Sequence, residues 1–325
     1  MATPQTLSRS LRCAAALRPD TVFARIGLDE YDQSAMTTGE LEARANRHAA
    51  HWRAADLGEG ARVVVVATPE PEALAAIVGA IRAGLEVSLA APGLDAQGLA
   101  EGARDAGALA LAGPGDFAGL DFAERLTAAA ALTPLAVRLA VWGGAPLGAI
   151  RFDSTPASGF DSDAPDVEPS VGLLGQPRTH ALDPVALAAS ADKYIRAARL
   201  TSGATVLSLV SLSSVGGLVC GALAPLASGA STLWQAPFST LRFAKALLEH
   251  APVHLVAPGA VVSELGRSGL LSPERVATLT LLVYGDFDPI FDHDLEPERV
   301  FLLETETTGA ARLTPLSKAF GETLE

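Results

Sequence analysis

Residues 62–90 read RVVVVATPEPEALAAIVGAIRAGLEVSLA, and they decide the fold class. The opening run, Arg62 to Thr68, is β-branched without alternation, as in a strand buried on both faces of a parallel sheet. Leu74, Ile77, Val78 and Ile81 then recur at helical spacing between Pro71 and Gly84. Leu85 to Ala90 returns to a strand. Strand, helix and parallel strand in succession form a right-handed βαβ unit.

The same rhythm extends both ways. Upstream, Thr37 and Glu40 have the spacing of a capping box, in which each side chain satisfies an end N–H of a helix. Leu41, Ala45, Ala49 and Trp52 share one face of that helix, and Gly58 and Gly60 end it. Downstream, helices over 95–106 and near 122–131 alternate with strands at 108–112 and near 136–142. The rhythm breaks at 152–170, FDSTPASGFDSDAPDVEPS, a surface loop or linker by composition. It restarts with a helix from Pro184 to Leu200, capped by Asp183. Strands follow at 205–210, 231–234, 253–257, 279–284 and 300–303, with helices at 215–227, 241–250 and 261–266. The expected fold is α/β, two lobes of mostly parallel sheet with flanking helices. The division falls at 1–150 for the first lobe, 151–170 for the linker and 171–325 for the second lobe.

Composition narrows the function. The chain has 325 residues, 49% hydrophobic but only 5% aromatic, so Ala, Val and Leu fill the core. A net charge of −13 repels phosphate backbones and anionic lipid, which argues against nucleic acid and membrane surfaces as partners. No Asp, Glu, Lys or Arg lies between Arg199 and Arg242, a span long enough to suggest a membrane helix. Its many Ser, Gly and Pro residues favour a buried strand and helix instead. The N-terminus shows no apolar segment before a cleavage site, so a cytoplasmic location is expected. Cys13 and Cys220 form no disulfide or zinc pattern, and Cys220 reads as a small buried hydrophobe.

Several blocks, in order, resemble adenylate-forming enzymes: the acyl-CoA synthetases, peptide-synthetase adenylation domains and luciferases. TGELEARANRHAA (38–50) and LGEGARVVVV (57–66) are similar to the family's opening, and IRAG (81–84) to its next helix. LSLVSLSSVGG (207–217) and LAPLASGA (223–230) resemble its central segment, and LETETTGA (303–310) its Tyr-Gly-x-Thr-Glu signature. The resemblance implies ATP-dependent activation of a small carboxylic acid to an acyl-AMP, then transfer to a thiol such as coenzyme A. It also implies ATP or AMP with Mg²⁺ as cofactor. Thr305 would face the AMP phosphate and Glu306 would hold the metal, a hard cation that suits a carboxylate. Ser214 stands nearest the family's acyl-facing residue, with Gly216 beside it as a second acyl-binding position. A helix N-cap is the other role for Ser213 or Ser214.

The sequence also departs from the family. SVGLLGQPRT (170–179) matches the phosphate loop. Gly172, Gly175 and Pro177 keep its backbone pattern, and Arg178 replaces its Lys. Val171, Leu173 and Leu174 replace the hydroxyl residues that cradle phosphate. Two readings stand: an impaired ATP loop, or a plain surface turn. Leu303 and Glu304 replace the Tyr-Gly before Thr305. The family's later ribose-binding Asp, hinge and lid lysine find no counterpart before Glu325. The expectation is therefore a degenerate, AMP-dependent ligase-like pseudoenzyme without the C-terminal lid, inactive alone. It would bind an acyl or nucleotide ligand, or serve beside a partner ligase. The alternatives are an acyl- or aryl-CoA ligase completed by a separate lid-domain protein, and a pure interaction module in which Leu173 and Leu174 fill the cleft.

Other constellations carry less. His250 and His254 have metal-ligand spacing, but Pro252 breaks the helix that would pair them. The acidic stretch 286–294 lacks the Gly and closing Glu of a calcium loop. His48 and His51 are expected at the surface.

Overall fold

A computed structural model describes residues 6–27, 33–133, 137–154, 169–174, 180–235, 237–283, 294–306 and 308–317. The chain opens with helix Leu7–Leu17 (α1), strands Val22–Gly27 (β1) and Gln33–Thr37 (β2), and helix Thr38–Ala54 (α2). Strand Arg62–Val66 (β3), helix Pro71–Arg82 (α3), strand Glu86–Ala90 (β4), helix Ala96–Ala106 (α4) and strand Ala110–Pro114 (β5) follow. A small hairpin, Asp116–Phe117 (β6) and Leu120–Asp121 (β7), leads to helix Phe122–Leu132 (α5), then strands Arg138–Trp142 (β8) and Ile150–Arg151 (β9). Next come Val171–Leu173 (β10), His180–Leu182 (β11), helix Pro184–Ala198 (α6) and strand Thr205–Ser208 (β12). Helices Val215–Leu218 (α7) and Ala224–Ser228 (α8) flank a π-helical turn, Val219–Leu223. Strand Ser231–Trp234 (β13), helix Thr240–His250 (α9), strand Val253–Pro258 (β14), helix Val262–Arg267 (α10) and strands Val276–Val283 (β15), Val300–Thr305 (β16) and Ala311–Pro315 (β17) complete it.

Local sequence explains the helix starts. Thr37 and Glu40 form the reciprocal capping box at α2. Asp95 accepts from Gly98 N–H at α4, and Asp183 from Val185 N–H at α6. Each such cap contributes about 1 kcal/mol.

The strands form two large, mostly parallel sheets. The first runs β11-β10-β4-β3-β5-β8-β9 and the second β17-β16-β15-β14-β12-β13-β1-β2. Sheet membership does not follow the division of the chain at 151–170. β1 and β2 join the second sheet, with Ala24 opposite Thr232. β10 and β11 join the first, with Gly172 opposite Ser88. Neither α1 nor the β1–β2 pair is anticipated by the sequence pattern.

One apolar cluster fills the space between the sheets. It includes Val63 and Ala112 from the first, Val206 and Val256 from the second, and Leu7, Leu74, Tyr194 and Leu218 from α1, α3, α6 and α7. α4 and α5 cover the outer face of the first sheet. α9 and α10 cover that of the second. The result is five layers, helix–sheet–helix–sheet–helix. Leu, Val and Ala dominate the core, as the low aromatic content requires.

Three helices lock together around Arg82, which is 1% exposed. Its guanidinium donates to Glu42 Oε1 at 2.9 Å and Oε2 at 2.8 Å, to Asn46 Oδ1 at 2.6 Å and to Ser8 Oγ at 3.0 Å. This bidentate pair with added acceptors ties α1, α2 and α3.

Between Arg199 and Arg242 the described residues form α/β structure that is mostly buried. Pro225 has no N–H to give the carbonyl of Gly221. Thr232 Oγ1 donates to that carbonyl instead, at 3.0 Å, across the π-helical turn. Among the described residues no helix is long and apolar enough to cross a membrane. Cys220 is fully buried, and burial pushes its thiol pKa up.

Other expectations are corrected. His48 and His51 are buried, not surface residues. His48 Nε2 lies 2.7 Å from Glu72 Oε1, and His51 Nε2 lies 2.9 Å from Ser154 O. Phe152 does not begin a surface loop. It is fully buried against Trp52, His48 and Trp142, with ring centroids 5.0, 4.3 and 6.4 Å away. Leu174 does not fill a cleft between the lobes. It packs into the outer core of the first sheet, over Gly102 of α4. Leu173 packs against the inner core. Residues 155–168 and 284–293 lie outside the described residues, so the linker and most of the acidic stretch do too.

Candidate functional site

The parallel strands of both sheets end on one edge, where ligands of open α/β sheets gather. Two loops meet there. Ala67 follows β3 and Ser211 follows β12, and Ser211 Oγ donates to Ala67 O at 3.0 Å. Ser213 Oγ donates to Ser211 Oγ at 2.9 Å, so a serine cluster bridges the two sheets.

Ser214 is the N-cap of α7. Its hydroxyl accepts from Gly217 N–H at 3.0 Å and donates to Ser211 O at 2.9 Å. Both capacities serve the local turn. Gly216 is buried, and a Cβ added there would come within 2.4 Å of the Leu282 side chain. The space beside Gly216 is thus occupied by β15. Gly217 lies against Ser211 O so closely that no side chain fits, which explains the Gly pair.

Thr305 is the last residue of β16 and is partly exposed; Glu306 follows it and is exposed. Glu306 N–H donates to Ala310 O at 2.8 Å, closing the turn into β17. Gly309 sits at φ +88 with Leu182 and Leu187 against it. Asp183 N–H donates to Thr308 O at 2.9 Å, and Ala311 N–H to Ser190 Oγ at 2.9 Å. The β16–β17 turn is therefore docked on β11 and α6, and α6 directly follows the β10–β11 hairpin. The fold brings the Thr305–Glu306 turn beside the hairpin that carries Gly172.

Gly172 itself is not in a loop. It lies in mid-strand, in register with Ser88 on one side and Ala181 on the other. Its backbone belongs to the sheet. Gly175 and Arg178 lie outside the described residues.

Sequence reading missed a polar group on the same edge. Glu70, just after β3, accepts from Thr68 Oγ1 at 2.6 Å and from Trp142 Nε1 at 3.0 Å, both at Oε1. Burial pushes its pKa up, although those two donors oppose the shift. Glu72 is also desolvated, but hydrogen bonding to His48 and the Arg44 guanidinium bring its pKa below the usual range. Burial lowers the pKa of His48, although its hydrogen bond to Glu72 and that carboxylate's charge oppose the shift. Nothing in the local pattern around Glu70 signals this, because Trp142 is remote in sequence.

His254 points to Thr278, Nδ1 to Oγ1 at 2.9 Å, and burial lowers its pKa to about 4. Among the described residues no group of three or more His, Cys, Asp or Glu is placed to hold a metal ion.

The comparisons with known proteins agree with this architecture. Residues 11–150 match the model of the AMP-binding enzyme family. An olefin β-lactone synthetase of Xanthomonas campestris is 28% identical over 182 residues, 51% of this chain and 32% of that protein. A benzoate CoA ligase from Burkholderia xenovorans superposes with a TM-score of 0.74 at 19% identity, over 94% of this chain and 61% of that one. Mycobacterium smegmatis MbtA superposes with a TM-score of 0.72 at 18% identity, over 97% and 59%. The fold is that of the N-terminal domain of adenylate-forming enzymes. Residues 11–150 thus resemble the AMP-binding enzyme family in sequence, and the whole chain resembles adenylate-forming enzymes in fold. It spans about a third of the curated relative and about 60% of these two solved structures.

The described residues fit the family's nucleotide and magnesium only in part. The exposed Glu306 carboxylate suits a hard cation, and Thr305 beside it offers a hydroxyl. On the phosphate side, Leu173 and Leu174 pack into cores and offer no donor. Ser214 could orient an acyl group only by giving up its cap.

Proposed function

We propose that this chain is a degenerate adenylate-forming protein, non-catalytic by itself, that binds an acyl or nucleotide ligand or serves as a partner subunit to a ligase. The observation that carries the reading is the side-chain chemistry at the phosphate hairpin. Family members use hydroxyls there, whereas this chain commits Leu174 to the α4 core. The closure of Leu282 over Gly216 supports the same reading, because it occupies the acyl side. Stabilisation of charge developing on phosphate needs preorganised donors, and the described residues offer few.

The test is pyrophosphate release by the pure protein with ATP, Mg²⁺ and a broad panel of carboxylic acids, with and without coenzyme A. No ATP-dependent turnover is expected. Robust turnover by the chain alone would overturn the proposal.

A second reading is favoured by Thr305 and Glu306. In it the chain is an acyl- or aryl-CoA ligase whose remaining parts are supplied by another polypeptide. Activity on mixing with a lid-domain protein, abolished by Glu306→Ala, would favour it over the first.

A further inference from the structure

Among the described residues nine large apolar side chains are exposed, and six of them stand singly on separate elements or loops. The other three, Phe238, Leu241 and Leu248, belong to α9 and the turn that leads into it, at 51%, 65% and 67% exposure. Leu241 and Leu248 are two turns apart and lie on one line of the helix. The opposite side, Phe243, Ala246 and Leu247, is buried on the outer face of the second sheet. Phe238 leans on Phe243, with ring centroids 5.8 Å apart, and so is held at the start of the helix. Exposed leucines scattered singly are ordinary, whereas apolar residues gathered on one helix face mark a contact surface.

The charges beside the line fit a copy of the same helix. At 3.6 residues per turn, Arg242 and Glu249 stand on the same flank of the Leu241–Leu248 line. Lys245 lies between them, and its ammonium is 3.8 Å from Glu249 Oε1. The cations therefore sit toward the amino end and the anion toward the carboxyl end. A two-fold axis across the middle of α9 sets the helix antiparallel to its copy. Leu241 then meets Leu248 of the second copy, and Arg242 meets Glu249 of the second copy, each pair formed twice. The antiparallel helix dipoles favour the same arrangement. The Lys245–Glu249 pair within one copy is half-exposed at both partners, so it contributes little and is readily shared.

We propose that the outer face of α9 docks a second copy of this chain, closing a weak two-fold dimer through Leu241–Leu248 contacts flanked by Arg242–Glu249 pairs. Three apolar anchors on a short helix bury less than the roughly 1,000 Å² of a stable interface, so a dissociation constant of about 0.1–0.5 mM is expected. The net charge of −13 on each copy opposes association. Salt at about 0.15 M screens that repulsion beyond about 8 Å and leaves the close pairs in place. The face lies outside both the nucleotide side and the acyl side of the candidate site, so the proposal stands or falls apart from the proposed function.

Sedimentation equilibrium of the pure chain, from about 20 µM to about 1 mM at about 0.15 M salt, reads the dimer directly. A monomer–dimer equilibrium within that range is expected. Leu241→Asp and Leu248→Asp should each weaken it about tenfold, as loss of a central apolar anchor does. Leu17→Asp, on α1 and 78% exposed, is the control and should change nothing. Glu249→Arg sets cations against each other across the axis and should weaken the dimer about fivefold. Adding Arg242→Glu to that chain restores opposite charges across the axis and should bring the constant back to within about twofold of the original. Leu241, Leu248 and Glu249 are exposed and Arg242 is partly so, and none of them fills the core. A chain that stays monomeric to about 1 mM would overturn the assignment. So would a dimer indifferent to Leu241→Asp and Leu248→Asp, or charge reversals whose losses add instead of cancelling.

Discussion

Arg82 offers the sharpest test of how the first three helices are held. Its charge is buried and met by a bidentate carboxylate, Asn46 and Ser8. Glu42→Gln removes the opposing charge and places an amide NH₂ against a guanidinium, donor to donor. Leaving a buried charge uncompensated costs about 3–5 kcal/mol. The Glu42 side chain is 17% exposed, which lets water share the site, so the lower end, about 3 kcal/mol, is expected. Arg82→Met should cost a similar amount by stranding the acceptors of Glu42, Asn46 and Ser8. The double variant should cost less than the sum, with a coupling of at least about 1.5 kcal/mol, because each single change already breaks the same pair. Urea unfolding gives the free energies, and scanning calorimetry should show a drop of about 6 °C for each single variant, at the low end of the scaling for large domains. The exposed pair Arg62–Glu86 is the control, with side chains 55% and 38% exposed and an expected effect under about 1 kcal/mol. Single-variant costs no larger than this control, or costs that simply add, would refute the argument.

Two further outcomes follow from the site edge and the second sheet. Gly216→Ala should destabilise by about 1–3 kcal/mol through overpacking on Leu282, and that cost should largely vanish when the change is made in a Leu282→Ala background, which is itself destabilised by about 2–5 kcal/mol; an additive double variant in chemical unfolding would count against the contact. His254 has a folded pKa of about 4 against an ordinary 6.5, so the folded state binds fewer protons in that interval. Its contribution is fully present above pH 6.5 and is lost as pH falls toward 4, up to about 3 kcal/mol at 1.36 kcal/mol per tenfold change. His254→Asn should flatten that part of the stability profile, and equal acid sensitivity in both proteins would refute the assignment.

Much of the fold is legible in the sequence because the signals are local. Val63–Val66 is a continuous apolar run because both faces of β3 are covered. Thr37, Asp95 and Asp183 mark helix starts because a cap needs only residues two or three apart. What is not legible depends on distant partners. His48 falls on the apolar face of α2 with Leu41, Ala45 and Trp52, so spacing favours its burial although its polar ring suggests the surface. Glu72, Phe152 and Ser154 lie against the two histidines, and the sequence of α2 does not report those neighbours. β1 and β2 are short, and β13, which pairs with β1, lies in the other half of the chain. At the candidate site, the motif at 303–310 locates Thr305 and Glu306 at a strand end, because that strand is regular. The fates of Leu174 and Gly216 are invisible locally, since Gly102 and Leu282 decide them. Glu70 reads as an ordinary helix-start carboxylate until Trp142 is seen to donate to it.

The borrowed hairpin of the second sheet has a consequence for how the protein is made. On the ribosome, the first sheet gains its last strands when residues 171–182 emerge. β1 and β2 are then already synthesised, but β13, against which β1 pairs, ends at Trp234. At bacterial-scale elongation of about 5–20 residues per second, the N-terminal hairpin waits roughly 10–40 s with an unpaired strand edge. A strand made before either sheet is complete is thus among the last to find its place.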